Sequence, residues 1–355
     1  MGSSRTWRRR SSVLLVAAGL AACSGSGTDA GRASTTAPPS TSTTVPPSTS
    51  TAAIVGSTTA ARTAPPPETA TTVPAGPPVQ REEPSLPTAV QETAAASTPT
   101  RLYVVGGYDA SRNSTAGVFV FDGVAWTSGP NLPIAVNHPG AATVGDTVYE
   151  AGGFSASGAT ARAFALTAAG DGWREIAPMH HARGALALVA LGGMLYAIGG
   201  RSGSVQVASP EVYDPATDTW TDLPAMPRPR NHLAGYVDGA RVCIAGGREP
   251  DTSTAVDCFD AASGAWQLGP PLAEPTSGAA AGVLGDMVLV AGGEPTDETR
   301  LVTTVQERHA GQWGAEPMLV PRHGTGYALF QGRLWLCGGA TAPGYQASAA
   351  CTSFG

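Results

Sequence analysis

The sequence predicts an all-β fold for residues 79–355: a six-bladed β-propeller with four antiparallel strands per blade, its last blade completed by an N-terminal strand. Three markers locked in phase predict it. Glycine pairs begin at Gly106, Gly152, Gly199, Gly246, Gly292 and Gly338, at spacings of 46 or 47 residues. Trp126, Trp173, Trp220, Trp266 and Trp313 each follow the first glycine of a pair by 20 or 21 residues. Beyond each tryptophan an apolar residue sits beside proline, at Leu132-Pro133, Pro178-Met179, Met226-Pro227, Pro271-Leu272 and Pro317-Met318. A unit of this length cannot bury its own apolar face and must stack on its neighbours.

The unit around Gly199 shows the expected strands. His181 to Ala190 is an apolar-rich run, and Met194 to Ile198 leads into the glycine pair. Ser209 to Asp214 reads as the third strand, Pro215 to Asp218 as a turn and Thr219 to Leu223 as the fourth strand. Short runs separated by Gly, Pro and Asp at regular spacing read as all-β, and no stretch sustains a helical period. Glycine takes positive φ and lets a neighbouring backbone come close, while tryptophan supplies a large apolar body between blades. No helix is signalled after the glycine pairs, which argues against phosphate-cradling loops.

A sixth proline marker, Leu86-Pro87, lies 46 residues before Leu132, so the periodicity starts ahead of the first glycine pair. Val79 to Glu83 then falls where a fourth strand belongs, with Gln80 at the tryptophan position. The last unit stops after its third strand, near Ser353. The N-terminal segment is therefore expected to complete the last blade, which closes the ring and removes exposed sheet edges.

These residues resemble the Kelch repeat, in which an apolar strand ends in Gly-Gly and an aromatic residue precedes a tryptophan by six or seven positions. Ile244-Ala245-Gly246-Gly247 with Phe259 and Trp266 fits, as does Ile198-Gly199-Gly200 with Tyr213 and Trp220. The aromatic position weakens elsewhere, to Phe121, Leu166 and Gln306. The resemblance implies a propeller that binds a protein or another ligand through one face. Some extracytoplasmic Kelch-like propellers are sugar epimerases and some larger ones copper radical oxidases. The oxidases need a Tyr-His pair, and no tyrosine adjoins a histidine in this sequence.

The first 78 residues read differently. Arg5, Arg8, Arg9 and Arg10 precede a short apolar run, Val13 to Ala22, too short to span a bilayer stably. Leu20-Ala21-Ala22-Cys23 resembles a bacterial lipobox, so residues 1–22 are expected to be a lipoprotein signal peptide, with Cys23 carrying the lipid. Residues 23–78 are rich in Ser, Thr, Pro and Ala and poor in large apolar side chains, a composition expected to stay disordered and act as a tether. The expected location is the extracytoplasmic face of the cell membrane. A net charge of −6 leaves no basic footprint for nucleic acid.

Four further cysteines remain. Cys243 and Cys258 fall on the second and third strands of one blade, and Cys337 and Cys351 on the same strands of the last. Outside the cytoplasm, pairing within each blade is favoured, with buried free thiols as the alternative.

In an antiparallel blade the first strand begins and the second ends on one face, so residues at those points converge around the channel mouth. Arg183, Arg230 and Arg322 each stand 16 residues before a glycine pair. His138 and His232 stand 14 before, and His323 is one position away. Tyr108, Asp109, Arg201, Arg248 and Glu294 follow the pairs. This face is the expected ligand site, with the arginines gripping anionic groups. The structural alternative has the arginines bracing loops or blades and the histidines capping loops or lining a wet channel. No cofactor, metal site or catalytic set is implied. The expected function is a non-catalytic, monomeric recognition or scaffold protein for an envelope protein or glycan, with an epimerase- or mutarotase-like sugar enzyme as the alternative.

Overall fold

A computed structural model describes residues 77–355, and all regular structure among them is β-strand. Six four-stranded antiparallel sheets form the blades. Their first strands, Ala94–Ser97, Gly140–Val144, Ala187–Leu191, Ala234–Asp238, Ala280–Leu284 and Gly326–Phe330, contact one another around the channel axis and number the blades 1 to 6. In blade 3, Ala187–Leu191 pairs with Met194–Ile198, then Glu211–Asp214, then Thr219–Asp222. The first strand starts later than the expected His181. Residues before Ala187 turn across the channel mouth, where Ala185 takes a φ of 57° that no strand accommodates.

The ring closes as the periodicity predicts. Gln80–Glu83 pairs with Cys351–Phe354 as the outer strand of blade 6, in a register that sets Gln80 against Phe354 and Glu83 against Cys351.

The core is not central. It consists of six slabs, one at each blade interface, and each contains one of the six apolar residues beside proline: Leu86, Leu132, Met179, Met226, Leu272 or Met318. All six are buried. The unit length follows from this, because a single sheet has two apolar faces and nothing of its own to cover them.

Each tryptophan is an interblade staple. The indole N–H of Trp126, Trp173, Trp220, Trp266 and Trp313 donates to the backbone carbonyl of Pro84, Pro130, Ala177, Pro224 and Pro270 respectively, at 2.7–3.0 Å. Only Trp220 is fully buried, so the expectation of a ring packed wholly between blades holds there and is partial at the other four. The aromatic partner of the motif packs on the ring, with centroids 5.1 Å apart for Tyr213–Trp220 and 5.3 Å for Phe259–Trp266.

The glycine pairs serve the same interfaces. The second glycine donates its N–H to a carbonyl of the next blade in all six cases, ending with Gly339 to Val90 at 2.8 Å. A Cβ on Gly199 would stand 2.6 Å from the Arg230 carbonyl oxygen, and its φ is 65°. Two disulfides join second and third strands, Cys243 to Cys258 and Cys337 to Cys351, each between residues directly opposite in register.

The signal peptide, Cys23 and nearly all of the tether lie outside the described residues.

Candidate functional site at the channel mouth

One station per blade builds the mouth. Glu92, His138, Ala185, His232, Gly278 and Gly324 each lie 14 residues before a glycine pair. All six take a left-handed conformation, with φ between 51° and 65°. Their backbones form a closed ring of hydrogen bonds: His138 donates to Glu92, Ala185 to His138, His232 to Ala185, Gly278 to His232, Gly324 to Gly278 and Glu92 to Gly324, at 2.6–3.0 Å. The left-handed turn aims a carbonyl at the next blade, and it carries the Glu92, His138 and His232 side chains onto one half of the rim. Gly324 leaves the room that Glu92 uses, since a Cβ there would meet the Glu92 carboxylate at 2.4 Å.

The side chains converge. Glu92 Oε2 lies 3.1 Å from His138 Nε2, and Glu92 Oε1 lies 3.5 Å from His323 Nδ1. His323 Nδ1 is also 3.3 Å from Glu294 Oε1, while its Nε2 donates to the Gly344 carbonyl at 2.9 Å. Glu294 Oε2 accepts from the Gly344 N–H at 3.0 Å. The His138 and His232 rings meet edge to face, 4.9 Å apart. Arg248 Nη2 donates to His232 Nε2 at 3.1 Å.

Two Asn-His pairs fix the imidazoles. His138 Nδ1 lies 2.6 Å from Asn137 Oδ1, and His232 Nδ1 contacts Asn231 Oδ1. Asn137 Nδ2 donates to Ser114 Oγ and the Phe154 carbonyl, and Asn231 Nδ2 to Gln206 Oε1 and the Arg248 carbonyl. Those carbonyls only accept, so each asparagine presents its own oxygen to the imidazole, and Nδ1 is the protonated nitrogen. The lone pair of Nε2 then points into the mouth.

The charges follow from burial and neighbours. Burial opposes ionisation of Glu92, but His138, His323 and His232 reverse this and hold its carboxyl well below the usual range. Burial likewise works against charge on His323, yet the Glu92 and Glu294 carboxylates raise its pKa. Burial lowers His138 and drives His232 well below its ordinary value, with His138 and Arg248 adding to the second effect. Burial also raises Glu294. These shifts favour charge on Glu92 and His323 and oppose it on His138 and His232.

Three small ribbons frame this cluster: Val90–Gln91 with Tyr108–Asp109, Phe154–Ser155 with Gly158–Ala159, and Arg201–Ser202 with Val205–Gln206. They place Tyr108 and Phe154 against His138, and the Arg201 guanidinium 4.9 Å over the Phe154 ring. Tyr345 joins Tyr108, 5.7 Å between centroids, and its hydroxyl donates to the Asp109 carbonyl. Below the cluster a cavity of about 360 Å³ runs down the channel between the first strands. Tyr327 crosses it, its hydroxyl accepting from the Gly235 N–H of blade 4 at 2.8 Å.

The structure brings His138, His232, His323, Arg201, Arg248 and Glu294 to the mouth, as the spacing predicts. It removes Arg183, Arg230 and Arg322 from it. All three are buried. Arg183 donates to the Gly199 carbonyl and to Glu211 Oε1 at 2.6 Å, and Arg230 to the Gly246 carbonyl and Asp257 Oδ2 at 2.6 Å. Arg322 donates to the carbonyls of Gly338 and Ala350, with no carboxylate partner. They brace blades 3, 4 and 6 beneath the mouth, and the anion grip expected of them is corrected on that ground. Glu92 was missed, although its distance of 14 residues from Gly106 matches that of the histidines from their pairs. Asn137, Asn231 and Phe154 sit beside marked positions but show no signal of their own. Tyr345 arrives on a loop of the last blade that no repeat position predicts.

Among known proteins, the Kelch motif matches residues 92–133 and 182–227, the spans of blades 1 and 3. No curated protein matches the chain. A solved structure described as "Structure of YjhT" superposes with a TM-score of 0.66 at 16% identity, covering 75% of this chain and 95% of that one. At that identity the likeness concerns the fold alone. The repeat markers, the six sheets and these matches agree on a six-bladed β-propeller, two of whose blades match the Kelch motif.

Proposed function

We propose that this protein is an extracytoplasmic, lipid-anchored recognition propeller that binds a glycan at its channel mouth. The observation that carries the reading is the convergence of Glu92, His138, His232, His323 and Glu294 above a channel cavity of about 360 Å³. A concave site with few polar groups on apolar walls suits a small ligand better than a flat protein surface. Tyr108, Phe154 and Tyr345 add aromatic surface at the mouth for the C–H side of a sugar, and the carboxylates, imidazoles and Arg201 offer partners to its hydroxyl or carboxylate groups. The Cys23 lipobox and the tether support an anchor, and two disulfides suit an oxidising compartment. The test is calorimetric titration of the purified chain with neutral and acidic saccharides, wild type against Tyr108→Ala and Glu294→Gln. Binding weakened at least tenfold in both variants is expected. Equal binding by all three proteins places the ligand elsewhere.

One observation favours an enzyme as the second reading. Glu92 lies 3.1 Å from His138, and the carboxyls of Glu92 and Glu294 are displaced in opposite directions, an arrangement that suits proton transfer at a sugar's anomeric or adjacent carbon. Anomer exchange of a bound sugar, followed by NMR, should accelerate over the buffer rate and slow again in Glu92→Gln. No acceleration removes this reading.

A further inference from the structure

We propose that Glu92, His138 and His232 form a binding site for one divalent first-row transition metal ion. The ligand atoms that these three residues offer all lie within 4.8 Å of one another. They come from blades 1, 2 and 4 and meet only because three left-handed stations on the rim carry ligating side chains.

Three features point to a cation. The first is the contact between Glu92 and His138. Asn137 Oδ1 accepts a hydrogen bond from the Nδ1–H of His138, so a neutral ring turns the Nε2 lone pair to Glu92 Oε2 at 3.1 Å. Two acceptors face each other there, and such a contact calls for a proton or a metal ion between them. The second is the support behind each ring. An imidazole that binds a metal through one nitrogen donates the other N–H to a carbonyl or carboxylate oxygen, which fixes tautomer and direction. Asn137 and Asn231 supply that oxygen twice, in blades two repeats apart, and each is itself held by two further hydrogen bonds. The third is the open side. Two imidazoles and one carboxylate leave coordination positions that face the channel cavity, where a water or an oxygen of a ligand would complete the shell.

Arg248 opposes the site as it stands, since its Nη2 donates to His232 Nε2 at 3.1 Å. The guanidinium has a second partner, Glu298 Oε1 at 3.8 Å, towards which it moves when the metal takes the imidazole. Arg248 is therefore a competitor, and its removal should tighten metal binding. Among the described residues one other group could ligate, His180, Glu211 and Asp222, but Glu211 already holds Arg183.

The proposal shares the mouth with the glycan reading but does not depend on it, and its test contains no sugar. The untagged, purified full chain is stripped with a chelator and titrated with Zn²⁺ against a chromophoric competitor, and with Co²⁺ by visible absorption. One equivalent is expected. His232→Gln and Glu92→Gln should each weaken it at least 100-fold, Asn231→Ala about 10- to 100-fold, and Arg248→Ala should strengthen it, while Asp222→Asn leaves it unchanged. Thermal melts confirm that each variant is folded. Should His232→Gln unfold, the opposed effects of Asn231→Ala and Arg248→Ala still decide. Absence of a stoichiometric site, or a site unaffected by these changes, overturns the proposal. A saccharide titration in chelator separates that failure from failure of the glycan reading.

Discussion

Gln80 donates its side-chain amide to the carbonyl of Pro317 at 2.6 Å, the bond that a tryptophan indole makes at the other five blade interfaces. Its Oε1 also accepts from the Leu319 N–H at 2.6 Å. The chain thus closes its ring with a short amide where the repeat uses an aromatic ring. Gln80→Ala should cost about 1–2 kcal/mol in urea denaturation through the two lost hydrogen bonds. Deleting residues 77–86 should do more, because Cys351–Phe354 becomes an open edge and buried Leu86 is lost. The deleted chain is expected to unfold or self-associate on size exclusion, and a stable monomer would contradict the closure.

The buried arginines differ in their partners. Glu211→Ala and Asp257→Ala each leave a buried guanidinium unpaired and should destabilise by about 3–5 kcal/mol, read from denaturant midpoints. Arg322 has no carboxylate, and burial lowers its pKa to about 10. Arg322→Met should therefore cost less than Arg183→Met.

Glu150 is buried on the second strand of blade 2 with neither carboxyl oxygen hydrogen-bonded, and burial raises its pKa well above the ordinary 4.5. The equivalent positions hold Val104, Ala197, Ile244, Val290 and Leu336. The raised value means that the unfolded chain ionises first, so the fold loses stability as pH climbs above 4.5. Glu150→Val should stabilise by about 1–3 kcal/mol at pH 7, and the gain should shrink towards pH 4. Equal gains at both pH values would contradict this.

Mouth histidines should pull stability in opposite directions with pH. His323 has a raised pKa, so its contribution is complete below 6.5 and fades as pH rises through the folded value. His138 and His232 have lowered values, so theirs is complete above 6.5 and fades as pH falls. Melting temperatures across pH 4–9 should show His232→Gln flattening the acid side and His323→Gln the alkaline side.

Reduction of the disulfides should lower stability by about 3 kcal/mol each, since they close loops of 15 and 14 residues. Cys258→Ser paired with Cys243→Ser should reproduce one such step in denaturant titrations with no reductant present. An unchanged midpoint would contradict it.

What the sequence by itself determined is whatever repeats. Blade number, strand order, the replacement of tryptophan by Gln80 and the placing of each two cysteines on adjacent strands all follow from phase, because every interface makes the same demand at the same position. The mouth was legible as a face for the same reason. Which side chains occupy it was decided by tertiary structure. Arg183 and Arg230 turn inward because Glu211 and Asp257, 28 and 27 residues further on, meet them inside the blade. Glu92, His138 and His232 meet because six left-handed turns close in a ring, which sets side chains 46 and 94 residues apart into contact. A strand's period is written in adjacent residues, whereas a charge's partner is chosen among everything the closed ring brings within reach.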